Sequence, residues 1–140
     1  MIELTRDLVD ASALVERATS PRVGAVLMFL GVTRQFDEDR ETASLQYEAY
    51  EKMALAELAR LESEARRTWP ISECLIVHRL GLVPLGEASV AVVTASPHRS
   101  EAFAAGQWLI DTLKERVPIW KQEHWVDGTK DWVHATELKK

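Results

Sequence analysis

Apolar and polar positions along the chain follow two periods, and each period predicts a different kind of element. Apolar residues spaced by three and four predict helices at residues 7–18 and 51–69, and a third that runs from an N-cap at Ser96 to a stop at Pro118. Shorter apolar or alternating runs predict strands at residues 1–4, 23–33, 43–50, 74–80 and 88–95, and a terminal hairpin of residues 119–126 and 131–135. This mixture predicts an α+β fold.

Two stretches shape that prediction further. The run at residues 23–33, VGAVLMFLGVT, is apolar on both alternating faces and indicates a buried central strand, although a short buried helix has the same pattern. Residues 34–42, RQFDEDRET, are the most polar stretch and indicate an exposed loop. We expect a frayed tail at residues 138–140. No repeat or linker interrupts the sequence, so residues 1–140 are expected to form one domain.

Composition excludes several classes of function. Of 140 residues, 46% are hydrophobic and 28% are charged, and a domain of this size buries roughly two-thirds of its unfolded surface. The net charge of -5 argues against a general nucleic-acid surface, which needs clustered Lys and Arg. No run approaches the roughly 18 apolar residues of a membrane span, and the start MIELTRDLVD does not have the pattern of a secretory signal. We therefore expect a cytoplasmic protein that binds neither nucleic acid nor membrane.

The sequence predicts no metal site and no cofactor. Cys74 is the single cysteine and lies in an apolar strand, where a buried and inert thiol is expected. The histidines at 78, 98, 124 and 134 have no HxH, HExxH or cysteine-linked spacing. GxGxxG, P-loop and GxSxG motifs are also absent.

The candidate chemistry lies in residues 96–121, SPHRSEAFAAGQWLIDTLKERVPIWK. With Ser96 as N-cap and Pro97 at the first helical position, His98 and Arg99 fall in the first turn. Free N–H groups, a partial positive charge and two basic side chains suit a phosphate or a carboxylate. An ordinary ion pair at Arg99 and a surface imidazole at His98 explain the same residues, and the sequence alone leaves both interpretations open.

The other end of this helix carries Lys114, and Lys121 follows after Pro118. Lys114 flanks the predicted buried stripe, which consists of Phe103, Gly106, Ile110, Leu113 and Val117. A lysine there either extends outwards over apolar surface or enters a pocket. If chain reversal brings Lys121 close, each ammonium lowers the pKa of the other, which suits a base, a nucleophile or an anion site.

Helix geometry separates the two basic ends. From Arg99 to Lys114 the axis spans roughly 22 Å, at about 1.5 Å per residue. His98 and Arg99 therefore cannot share a small-molecule pocket with Lys114 of the same chain. Either two unrelated sites exist, or an antiparallel partner chain in a two-fold dimer places its helix start over this helix end.

A series of short blocks resembles the large, catalytic subunit of molybdopterin synthase. The resemblance runs from about Gly24 to Trp132, and the order and spacing of the blocks are more specific than any one of them. The blocks are GVTR at 31–34, LQYEAYEKMA at 45–54, HRLG at 78–81, GE at 86–87, SPHRSEAF at 96–103, DTLKERVPIWK at 111–121 and DG at 127–128.

The resemblance implies an α/β hammerhead-like fold with an additional small antiparallel sheet. It implies a sulfurtransferase that converts cyclic pyranopterin monophosphate into molybdopterin, with sulfur from the C-terminal Gly-Gly thiocarboxylate of a small ubiquitin-like subunit. It also implies a homodimer within a heterotetramer. By motif position, Lys114 and Lys121 are the catalytic lysines, and Arg34, His98 and Arg99 bind the substrate. Oxyanion stabilisation with proton transfer and a covalent lysine role both remain open.

One departure from the family pattern is the loop after Arg34. Family members commonly carry a glycine there, whereas residues 36–41 read FDEDRE, so the turn and any substrate contact of Phe36 or Arg40 are undetermined. The alternative function is a non-catalytic adaptor that binds a ubiquitin-like tail. A phosphate-ester hydrolase that uses His98 is disfavoured by the missing metal ligands and carboxylate pair.

Overall fold

A computed structural model describes residues 1–134, which form two sheets and three helices. In chain order the elements are β1 (Ile2–Thr5), α1 (Ala11–Ala18), β2 (Ala25–Val32), β3 (Phe36–Asp37), β4 (Arg40–Ala49), α2 (Glu51–Thr68), β5 (Glu73–Arg79), β6 (Gly81–Pro84), β7 (Ala88–Ser96), α3 (Arg99–Arg116), β8 (Ile119–Trp125) and β9 (Lys130–His134). The predicted α+β class is confirmed. The tail predicted at residues 138–140 lies outside the described residues.

The first sheet is mixed and has the strand order β1-β5-β7-β2. β1 pairs with β5 in parallel, and the other pairs are antiparallel. Side chains of β5 alternate between two apolar clusters: Cys74 and Ile76 pack with α2 and α3, whereas Leu75 and Val77 pack with α1. Helices therefore cover both faces of this sheet, which explains the nearly continuous apolar runs of β5 and β7.

The second sheet is antiparallel and has β4 at its centre. β4 pairs with β3, with β6 and with β8, and β9 extends the sheet beyond β8. The register sets Tyr47 of β4 opposite Lys121 of β8. The hairpin predicted about Asp127-Gly128 forms, with Gly128 at a positive φ of 90°. The expected small antiparallel sheet is thus present, and the short reversal predicted between β5 and β7 contains the strand β6.

Helix α3 lies against the first sheet and ends beside the second. A Cβ at Gly106 would lie 2.8 Å from Leu27 Cδ2, so the helix approaches β2 closely. The Thr94 hydroxyl of β7 donates to the Ala102 carbonyl at 2.7 Å. At the other end, Arg116 donates to Glu57 at 2.6 Å and to Glu64 at 2.8 Å, both on α2. These contacts fix the last turn of α3, where Lys114 lies.

The start of α3 differs from the sequence prediction. Ser96 is not the N-cap: it is the last residue of β7, it is buried, and its hydroxyl bonds to the His98 carbonyl. The N-cap position belongs to His98, without a side-chain capping bond, and the helix begins at Arg99. Pro97 therefore precedes the helix instead of occupying its first turn.

The predicted apolar face of α3 was also partly wrong. Phe103 is 59% exposed, and the buried side of α3 carries Ala102, Ala105 and Leu109 as well as the predicted Ile110 and Leu113. On α2 the core positions are taken by small and branched residues, whereas Met53 is 62% exposed. Close packing onto the sheet favours small residues at the contact and leaves bulky side chains at its edge. Helix α1 begins at Ala11, capped by Asp10, instead of at residue 7.

The stretch predicted as a loop at residues 34–42 is mostly a tight hairpin. Asp37 pairs with Arg40, so β3 and β4 are joined by Glu38 and Asp39 alone. Glu38 has a φ of 55°, in the left-handed region that glycine usually occupies. The turn therefore forms without the glycine that the family pattern supplies.

Among residues 1–134, no helix is long and apolar enough to cross a membrane.

Candidate functional site

A cavity of about 310 Å³ opens where the end of α3 meets both sheets. Its walls come from β2, β4, β5 and β8, from the last turns of α3 and from the segment that follows β2. Arg34, Lys114 and Lys121 all line it. Three residues predicted from distant parts of the sequence are therefore brought together by the fold.

Lys114 lies in the last turn of α3 and is half-buried. Its pKa is lowered from the ordinary lysine value, first because burial penalises the ammonium and then because Lys121 and Arg34 repel it. Asp111 acts in the opposite direction, with a smaller effect than Lys121. Lys121 therefore lowers the pKa of Lys114, as one half of the predicted mutual effect, and the neutral amine of Lys114 forms more readily than that of a surface lysine.

Lys121 is held by an ion pair within β8. Its Nζ lies 3.2 Å from Glu123 Oε1, and the two side chains are only 14% and 4% exposed. Glu123 also accepts a hydrogen bond from the Thr42 hydroxyl at 3.1 Å, across to β4. Because residues two apart on a strand face the same side, both charges point into one cavity. Glu123 was missed by the sequence analysis. Its spacing of two residues from Lys121 places both side chains on one face of a strand, but does not show whether that face lines a cavity.

Arg34 lies at the mouth of the cavity. Its side chain is 78% exposed and lies 3.6 Å from Asp37, a distance at which an exposed ion pair contributes little to stability. The preceding residue, Thr33, is buried and fixed by two backbone hydrogen bonds, from Thr33 N–H to Glu87 O and from Gly86 N–H to Thr33 O. The base of Arg34 is therefore rigid while its guanidinium is free to meet a ligand.

The inner wall of the cavity carries an aromatic pair that the sequence analysis did not assign to the site. Tyr47 and His78 pack edge to face with ring centroids 5.0 Å apart. Burial raises the pKa of Tyr47, and burial also lowers the pKa of His78 to about 4. Both rings are therefore uncharged at neutral pH. The blocks LQYEAY and HRLG contained these residues, but period alone could not separate a cavity wall from a core.

His98 and Arg99 do not line this cavity in their own chain. Both are exposed at the start of α3, the opposite end from Lys114. The separation expected from the rise of the helix is therefore observed. Of the five predicted site residues, the fold gathers Arg34, Lys114 and Lys121 and leaves His98 and Arg99 apart.

Arg40 does not line the cavity, and its contacts hold two hairpins together. Its guanidinium stacks 3.8 Å from the centroid of Trp125 and donates to Asp131 at 3.1 Å and to Thr129 at 3.0 Å. Trp125 Nε1 donates to the same Asp131 carboxylate at 2.8 Å. Arg40 therefore connects the β3–β4 hairpin to the β8–β9 hairpin. Phe36 is 53% exposed at the edge of this region.

The cavity combines a cationic surface with a lysine whose pKa is lowered, and this combination suits an anionic ligand and proton transfer. Within residues 1–134 no group of three or more His, Cys, Asp or Glu side chains is arranged to hold a metal ion. Burial raises the pKa of the Cys74 thiol to about 12, so it is a poor nucleophile. Fold and site together define an α+β protein whose cavity is lined by two lysines and an arginine.

Comparison with known proteins gives the family. The model of the MoaE protein family matches residues 4–116. The molybdopterin synthase catalytic subunit of Emericella nidulans is 40% identical over 131 residues, which cover 94% of this chain and 67% of that protein. Its counterpart in Bacillus subtilis is 35% identical over 131 residues, or 94% and 83% of the two chains. The chain belongs to the MoaE family, as its sequence blocks predicted.

The fold comparison agrees. The crystal structure of molybdopterin synthase from Staphylococcus aureus superposes with a TM-score of 0.88 at 34% identity, covering 94% of this chain and 95% of that one. The arrangement of a mixed sheet beside an antiparallel sheet is therefore shared with a solved member of the family. The predicted α+β architecture is confirmed at this level.

Proposed function

We propose that the chain is the catalytic subunit of a molybdopterin synthase, which converts cyclic pyranopterin monophosphate into molybdopterin during molybdenum cofactor biosynthesis. The sulfur comes from the C-terminal thiocarboxylate of a small ubiquitin-like subunit. Two copies of this chain form a central dimer with one small subunit at each end, in the cytoplasm. The reaction is a sulfur transfer and needs no cofactor of its own.

The observation that carries this proposal is the meeting of Lys114, Lys121 and Arg34 in one cavity. Both reactants are anionic, one through its phosphate and the other through its thiocarboxylate. A locally cationic cavity attracts them although the whole chain carries a net charge of -5. A single cysteine with a pKa of about 12 agrees with sulfur that arrives from outside the chain.

The two lysines have different environments, which favours different roles. The thiocarboxylate sulfur bonds to a side-chain carbon of the pterin, and an oxygen substituent of that carbon leaves. Water then attacks the acyl carbon of the resulting thioester, the acyl–sulfur bond breaks, the sulfur stays on the pterin as a thiolate, and the small subunit leaves as a carboxylate. Lys121, held in place by its ion pair with Glu123, stabilises the oxyanion of this step. Lys114, with its lowered pKa, accepts the proton that water releases.

His98 and Arg99 join the site from the partner chain. They are exposed at the N-terminus of α3, where the helix dipole is positive. Arg34 is exposed at the mouth of the cavity. A two-fold dimer that sets one helix start against the neighbouring cavity mouth gives the phosphate three basic groups. The distance between the two ends of α3 supports this arrangement, because one chain cannot supply both halves.

The test is reconstitution with a thiocarboxylated small subunit and cyclic pyranopterin monophosphate, with molybdopterin as the measured product. We expect product from the wild-type chain and essentially none from Lys114→Ala or Lys121→Ala. Lys52→Ala is the matched control, because Lys52 is exposed on α2, away from the cavity. Turnover of Lys114→Ala at the wild-type rate would contradict the catalytic role and favour the adaptor function.

A further inference from the structure

His78 is a buried titratable side chain that the lysine chemistry does not use. It lies on β5, it is only 4% exposed, and it forms part of the wall of the cavity. Its neighbours on the same face of the strand, Cys74 and Ile76, belong to the apolar core. An imidazole at the end of an apolar row costs desolvation free energy unless its polar atoms are used.

One ring nitrogen of His78 is already used. Nδ1 lies 2.9 Å from the carbonyl oxygen of Arg79. A carbonyl only accepts, so Nδ1 carries the proton and donates it. The ring is uncharged at neutral pH, because burial holds its pKa near 4. Nε2 therefore has a free lone pair, and among residues 1–134 no hydrogen bond to it is described.

The orientation of this acceptor is fixed. The ring packs against Tyr47 at a centroid distance of 5.0 Å and an interplanar angle of 67°. Tyr47 lies opposite Lys121 in the β4–β8 register. The hydrogen bond from Nδ1 to the backbone and the ring contact with Tyr47 together fix the position of His78 relative to Lys121. A rigid, uncharged acceptor is what a binding site needs to orient a polar heterocycle.

The two carboxylates that line the cavity are already paired. Glu123 is engaged by Lys121 and by Thr42, and Asp37 lies beside Arg34 at the mouth. The remaining polar side chains that face a ligand from α3, β8 and the segment after β2 are the donors Lys114, Lys121 and Arg34. A ligand with N–H groups as well as anionic groups thus finds an uncharged acceptor at the inner wall, in the Nε2 atom of His78.

We propose that His78 is a positioning residue that accepts a hydrogen bond from a ring N–H of the bound pterin. It sets the uncharged ring system against the inner wall and directs the phosphate towards Arg34 at the mouth. This inference rests on the proposed function, since it takes the reduced pterin as ligand. Selectivity follows, because a phosphate compound without a ring N–H leaves Nε2 unpaired.

Two substitutions separate the roles of the two ring nitrogens. In His78→Asn the amide replaces Nδ1 and keeps the bond to Arg79, whereas nothing replaces Nε2. In His78→Gln the amide reaches the position of Nε2. We expect the dissociation constant of cyclic pyranopterin monophosphate, measured by calorimetry, to rise about threefold to tenfold in His78→Asn and to return to within about twofold of wild type in His78→Gln. KM should rise in parallel while kcat changes little.

Inorganic phosphate is the control ligand and should bind both variants as it binds the wild-type chain. In the wild-type chain, the ¹⁵N resonance of unprotonated Nε2 should move upfield when the pterin binds, which tests the bond even if a variant fails to fold. Unchanged pterin affinity in folded His78→Asn, equal weakening of phosphate binding, or an unmoved Nε2 resonance would overturn the inference. Absence of pterin binding and turnover by the wild-type chain would overturn the proposed function as well.

Discussion

Lys121 and Glu123 form a nearly buried ion pair, with Nζ 3.2 Å from Oε1. They are two residues apart on β8, so the alternation of the strand turns both into the cavity. The Thr42 hydroxyl donates to the other carboxylate oxygen at 3.1 Å and ties the pair to β4. The carboxylate therefore fixes where the ammonium lies, and the lysine is oriented before any ligand binds.

Glu123→Gln is expected to lower both stability and activity. The amide keeps the size of the side chain but leaves the ammonium without its counter-charge, which costs about 1–3 kcal/mol for a buried hydrogen bond to a charged group. Urea denaturation measures this loss. Turnover should fall by about tenfold or more, since tenfold corresponds to about 1.4 kcal/mol. The control is Glu48→Gln, an exposed carboxylate on β4, and equal behaviour of the two variants would contradict the role of Glu123.

Lys114→Met is expected to stabilise the protein at neutral pH. The pKa of Lys114 is lower in the folded chain than in the unfolded chain, so folding disfavours its protonated form. This penalty is fully present below the folded pKa and disappears above the unfolded pKa, and wild-type stability rises with pH between the two values. The advantage of Lys114→Met in the free energy of unfolding should therefore shrink as pH rises towards the ordinary lysine value. An advantage that does not depend on pH would show that packing, not charge, separates the variants.

Arg40→Ala should affect stability without affecting catalysis. The substitution removes the stacking on Trp125 and the bonds to Asp131 and Thr129. Because the guanidinium is about half exposed, we expect a loss of about 1 kcal/mol. Thermal unfolding measures it, with Arg60→Ala as the control, since Arg60 pairs with Glu57 on its own helix α2. A large rise in KM with unchanged stability would instead indicate a contact with the substrate.

Mixed dimers test whether the site is shared between chains. Arg99→Ala and Lys114→Ala chains should each be nearly inactive alone. When they are refolded together, each mixed dimer contains one pocket with both residues intact. Half of the dimers are mixed, so we expect about a quarter of wild-type activity. If mixed dimers form, as shown by differently tagged chains, and no activity returns, the two residues do not serve one pocket.

The sequence predicted the order of the elements well, because period and turn signals are local properties. It failed where tertiary contact decides. Ser96 has the residue type and spacing of an N-cap, yet the pairing of β7 with β2 continues through it and delays the helix to Arg99. Phe103 fits an apolar stripe, but close approach of α3 to the sheet gives the contact to smaller residues.

The residues of the candidate site also fall into a predicted group and a group that the sequence did not predict. Arg34, Lys114 and Lys121 were predicted from charge and motif, and the fold brings them together. Their partners were not predicted, because Glu123, Tyr47 and His78 carry no local signal that separates a cavity wall from a core. The register between β4 and β8 and the edge-to-face contact with β5 create that wall. Cross-strand geometry of this kind cannot be deduced from one sequence.

The cavity joins segments far apart in the chain, from Arg34 after β2, through β4 and β5, to Lys121 on β8. Contacts of such long sequence separation require the closure of large loops, which costs conformational entropy. A chain that has folded only its first sheet therefore has no active pocket. Activity therefore requires both sheets to be folded. A partly folded chain should be inactive even when its helices are formed.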